Sequence, residues 1–61
     1  MFLEVGKVVS FLYGDNVRTV RIEKMKRNWS PLLGWVPALI TGWDFTANGY
    51  RSFTVSKIAK V

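Results

Sequence analysis

Four runs rich in β-branched and aromatic residues alternate with turn signals along this chain. Val5 to Tyr13 is the first. Val17 to Arg27 is the second, with Arg18, Val20, Ile22 and Lys24 in one phase and Val17, Thr19, Arg21 and Glu23 in the other. Ala38 to Phe45 is the third and Tyr50 to Val61 the fourth. Period-two alternation puts successive side chains on opposite faces of a strand, so these runs predict strands. In the fourth, Phe53 and Val55 keep the alternation and Ile58 breaks it. A one-residue bulge there would let all three face one core. Gly14-Asp15-Asn16 marks the first turn, and Asn28-Trp29-Ser30-Pro31 opens a longer loop through Gly34 and Pro37. Thr46-Ala47-Asn48-Gly49 marks the last, its Asn-Gly pair tolerating positive φ. Pro31, Gly34 and Pro37 prevent a helix of useful length between the second and third runs.

Four or five strongly twisted antiparallel strands predict an all-β fold, a small Sm-like barrel whose closure would remove exposed edges. At 61 residues the chain holds one domain, residues 1–61, not two. Phe11, Phe53 and Trp43 are the expected core aromatics. No run reaches the ~20 apolar residues of a membrane span. Met1-Phe2-Leu3-Glu4 lacks a basic segment followed by an apolar run, so no targeting segment is expected. The reading is a cytoplasmic protein with no membrane partner.

Composition narrows the chemistry. There is no His and no Cys. That removes disulfides, thiolate chemistry, the usual zinc sites and the Ser/His/Asp or Cys/His sets. The four carboxylates are scattered and the five glycines dispersed, so neither a metal centre nor a phosphate loop is expected. The expectation is no enzyme, no catalytic residue, no metal and no cofactor. Nine Lys and Arg against four Asp and Glu give a net charge of +5, and the pI is near 10.1. Such a balance favours an anionic partner, although basic residues also serve solubility.

The order of residues then becomes specific. Phe11-Leu12-Tyr13 precedes Gly-Asp-Asn and Val17-Arg18-Thr19-Val20. Later come Gly42-Trp43-Asp44, a turn, and Tyr50-Arg51-Ser52-Phe53-Thr54-Val55-Ser56-Lys57-Ile58. This resembles the WYL domain, an Sm-like barrel common in bacterial transcription regulators, over residues 5–61. The family's Trp-Tyr-Leu triplet would fall near Ala38-Leu39-Ile40, and it is absent here. A free-standing barrel of this size is similar to small accessory proteins of bacteriophages, which would place it in the host cytoplasm. The resemblance implies a ligand-sensing or nucleic-acid-binding barrel. It makes Arg51 the best matched anion-site residue, with Lys57 standing where the family usually has Arg and Arg18 matching an early Arg of the second strand.

Two hypotheses from different classes follow. In the first, nucleic acid or a nucleotide-type anion binds a basic strand face through Arg18, Arg21, Lys24, Lys26, Arg51 and Lys57, and Trp29 or Trp35 stacks on a base. Regular alternation puts Arg18, Lys24 and Lys26 in one phase and Arg21 and Arg27 in the other, so one basic face requires a bulge. A solvated edge strand is the plain alternative. In the second, a small inhibitor or adaptor docks on a host protein through the loop Trp29 to Pro37. That loop is otherwise a lid over the barrel mouth, the preferred reading because the strands alone supply little core. Arg51 is also read as a partner for Asp44 across the last hairpin. Homo-oligomerisation through an edge strand stays open.

Overall fold

The second run continues as strand further than turn chemistry suggests, to Ser30, and it organises the whole molecule. A computed structural model describes residues 3–60. It contains five antiparallel strands and no α-helix among them: β1 (Val8–Tyr13), β2 (Asn16–Ser30), β3 (Gly34–Asp44), β4 (Gly49–Thr54) and β5 (Ile58–Lys60). They form one sheet in the order β4-β3-β2-β1-β5. No helix among the described residues is long and apolar enough to cross a membrane.

Three differences from the sequence-based elements have physical causes. The first strand starts at Val8 because Val5 and Gly6 form a turn, with Gly6 at positive φ. The fourth run is two strands, and Val61 lies outside the described residues. Its phase slip is a single 3-10 turn, Val55–Lys57, rather than a bulge. That turn carries the chain from one edge of the sheet to the other. The expected loop from Asn28 to Pro37 is mostly strand: only residues 31–33 connect β2 to β3, since Ser30 pairs with Gly34. Gly34 adopts φ +77°, a left-handed conformation that closes short hairpin loops and that residues with a Cβ rarely adopt.

The sheet curls over its own core. Phe11 on β1 and Phe53 on β4 are separated by two strands, about 14 Å in a flat sheet. Their ring centroids lie 5.3 Å apart. Tyr13 packs edge-on against both rings, 6.5 Å from Phe11 and 4.9 Å from Phe53. Leu3, Val20, Ile22 and Ile40 complete the buried cluster. Curling also brings β4 against β1: the Thr54 backbone N–H donates to the Tyr13 hydroxyl at 3.2 Å. β4 and β5 are not hydrogen-bonded neighbours, so the sheet is not closed into a barrel. Phe11 and Phe53 are core, as expected, while Trp43 is only half-buried.

β2 and β3 outrun their neighbours. β1 leaves β2 at Arg21, and β4 leaves β3 at Leu39. Beyond those points the two strands continue alone to Ser30 and Gly34 as a two-stranded arm. The molecule is correspondingly long, 36 × 22 × 16 Å.

Candidate nucleic-acid interface

Two register shifts set the faces of the long hairpin. Ile22 pairs with Gly42 and Lys24 with Thr41, leaving Glu23 as an extra residue on β2. Lys26 pairs with Leu39 and Arg27 with Pro37, leaving Ala38 extra on β3. Each is a bulge, and each reverses the phase of its strand. Before Glu23, Val20 and Ile22 point into the core and Arg21 points out. After it, Met25 faces inward opposite Ile40, and Lys24 and Lys26 take the outer phase. The bulge therefore brings Arg21, Lys24 and Lys26 to one outer face.

Gly42 permits this. A Cβ there would overlap the Arg21 carbonyl, so the backbones approach more closely than any other residue would allow. The bulge and its glycine belong together.

The register carries that outer face across to β4. Arg21 lies beside Trp43 and Tyr50, Lys24 beside Thr41 and Ser52, and Lys26 beside Leu39 and Thr54. Trp43 and Tyr50 meet edge to face, with centroids 5.1 Å apart, and Tyr50 remains 65% exposed. Arg21 reaches Glu23 at 3.5 Å and lies 5.9 Å from the Phe45 ring centroid. Lys24 and Lys26 make no ion pair with a carboxylate among the described residues. Between Lys24 and Tyr50 lies an open cavity of about 350 Å³, lined by Glu23, Lys24, Thr41 and Tyr50. Its size is at the lower end of small-ligand pockets. Its lining combines a cation, a carboxylate, a hydroxyl and an aromatic ring.

The other named residues stand elsewhere. Arg18 shares the inner phase of Val20, and its Nη1 binds the Oδ2 of fully buried Asp44 at 3.3 Å. Asp44 Oδ1 also accepts the backbone N–H groups of Thr46 and Ala47, at 2.8 and 3.2 Å. Asp44 thus fixes Arg18 and the β3–β4 turn together. The anticipated Arg51–Asp44 pair is replaced by Arg18–Asp44. Arg51 pairs in register with Gly42, in the phase of Phe53 and opposite to Tyr50 and Ser52. Lys57 lies exposed in the 3-10 turn. Thr54 donation to the Tyr13 oxygen pulls the phenol pKa below its ordinary value against the opposing effect of burial, and the Lys57 charge adds to the lowering.

Trp29 and Trp35 overturn the lid. They are a cross-strand pair on the arm, with centroids 5.7 Å apart, and are 62% and 66% exposed. They cover nothing in the core and stand beyond the last residues that β1 and β4 contact. Thr41 and Glu23 are the site residues that sequence reasoning passed over. A Gly facing an Ile-Glu-Lys run is the signal for the bulge that gathers them, but it is legible only once the register is known. No protein-family model, curated protein or solved structure matches this chain.

Proposed function

We propose that this chain is a non-enzymatic module that binds a single-stranded nucleic acid across its outer sheet face. The observation that carries the reading is the Glu23 bulge, which sets Arg21, Lys24 and Lys26 on the same outer face as Trp43 and Tyr50. Lys24 and Lys26 are two residues apart, about 7 Å along a strand, a spacing suited to successive phosphates. The exposed Tyr50 ring offers a stacking surface that tolerates any base, worth about 1–3 kcal/mol. In the adjoining cavity the Glu23 carboxylate accepts, and the Thr41 hydroxyl donates or accepts, at a base edge. The fold that accompanies this proposal is an Sm-like barrel of WYL type, open along one seam. The strand order and the single turn between β4 and β5 support it.

The test is the anisotropy of a labelled single-stranded oligonucleotide titrated at low and moderate salt. Lys24→Gln should weaken binding and reduce the slope of log affinity against log salt by about 0.7, one phosphate contact. Tyr50→Ala should weaken binding about 5- to 100-fold with the salt slope unchanged, because stacking releases no counterions. Arg51→Gln removes the same charge from the opposite phase and should have the smallest effect. Equal losses from Lys24→Gln and Arg51→Gln would reduce the interface to net charge. Absence of binding at low salt would sink the proposal.

A further inference from the structure

We infer that the tip of the β2–β3 arm is a docking element for an anionic lipid bilayer surface. Four large apolar side chains crowd the end of the arm: Leu32 is 89% exposed, Leu33 73%, Trp35 66% and Trp29 62%. They form tiers. Leu32 and Leu33 make the apex, and the Trp29–Trp35 pair comes next. Arg27 stands about 7 Å further back along β2, followed by Lys26 and Lys24. All three are exposed. From residue 24 to residue 43 there are three cations and no carboxylate. A bilayer presents the matching tiers from inside out: hydrocarbon, an interfacial zone favoured by indole rings, and anionic headgroups.

The backbone of the tip favours a lipid over a wet surface. Non-hydrogen-bonded N–H groups are costly in hydrocarbon. Pro31 has no N–H, and the N–H groups of Leu32 and Leu33 both donate to Ser30 Oγ, at 3.3 and 3.2 Å. The apex therefore has its own acceptor for the donors that water would otherwise satisfy. The edge-to-face contact of the Trp pair holds the two indoles against each other, which lowers the side-chain ordering that insertion costs. Docking of this kind needs no spanning segment, only about 5–10 Å of penetration. It departs from the expectation of no membrane partner, which considered spans alone.

The test uses the whole chain with vesicles of phosphatidylcholine, with and without phosphatidylserine, and with lipids brominated on the acyl chain. Half-buried Trp43 is first changed to Phe so that emission reports Trp29 and Trp35. Anionic vesicles should shift that emission to the blue, and brominated chains should quench it. Leu32→Ser with Leu33→Ser should weaken partitioning at least about tenfold, and Arg27→Gln about fivefold. Both changes fall on exposed positions and should leave the folding transition and oligonucleotide binding unaltered. Failure to bind anionic vesicles would overturn the inference. So would binding that ignores the two serines, which would be charge attraction alone. A blue shift that depends on protein concentration without lipid would assign the tip to a second copy of the chain. Quenching equal on zwitterionic and anionic vesicles would remove the cationic tier.

Discussion

The curled body and the projecting arm use the same two strands in opposite ways. In the body, β2 and β3 have neighbours on both sides, and every inner-phase residue from Val20 to Met25 meets part of the cluster around Phe11 and Phe53. In the arm the same alternation continues with no third strand beneath it. Its inner-phase residues, Arg27 and Trp29, stand opposite Pro37 and Trp35 across the hairpin. The difference shows that apolar residues do not by themselves make a core. A side chain is buried only where the rest of the chain returns to cover it, and β1, β4 and β5 are too short to return over the arm. A two-stranded ribbon is marginally stable alone, so the arm depends on the body that anchors it.

That dependence can be broken at its root. Gly42→Ala forces a Cβ into the Arg21 carbonyl at the junction of body and arm. Opening the bulge there should cost about 3 kcal/mol and scatter Arg21, Lys24 and Lys26. Denaturant unfolding checks the first part and oligonucleotide binding the second. A stable Gly42→Ala variant with unchanged binding would show that the junction is not what orders the outer face.

Asp44→Ala acts within the body. It leaves the partly buried Arg18 guanidinium without its partner and uncaps the β3–β4 turn, where Asn48 adopts φ +58°. The Arg18 Nε is already buried without an acceptor. Breaking a buried pair in this way costs about 3 kcal/mol. In the arm, Trp29→Ala removes one edge-to-face contact of about 1 kcal/mol and should move the same unfolding midpoint far less. A larger effect from Trp29 than from Asp44 would reverse the assignment of anchor and dependent.

The smallest expected effect concerns the seam. Tyr13→Phe deletes the acceptor for the Thr54 N–H, a bond worth about 1 kcal/mol. The phenol pKa is lowered in the fold, so its ionised form is the better acceptor. Stability from this shift is fully present above the unfolded value near 10 and is lost as pH falls through the lower folded value. The stability gap between the natural chain and Tyr13→Phe should therefore widen as pH rises toward and past 10. A gap that narrows in that window would mean the Tyr13 oxygen does not bind Thr54 in solution.

Much of the body was legible as sequence. The β1–β2 and β3–β4 turns, the core roles of Phe11 and Phe53 and the all-β class follow from alternation and turn chemistry, which act over a few residues. The candidate site was less legible. Arg21, Lys24 and Lys26 were named, but alternation alone divides them between two faces. Arg18 reads as one more surface cation until Asp44, 26 positions away, turns out to be its partner. Trp29 and Trp35 read as a loop because Pro31, Gly34 and Pro37 are strong turn signals. Pro37 nevertheless sits within β3 beside a bulge, at a part of the arm with no strand on its outer side.

By itself, then, the sequence determined which residues alternate, where the chain reverses, and that neither His nor Cys chemistry is available. These are local properties of backbone preference and composition. Only the tertiary structure decided which cations share a face, which aromatics are covered and how far the sheet closes. Those depend on register, and one extra residue at Glu23 moves every later side chain of β2 to the other face, because a strand has a period of two.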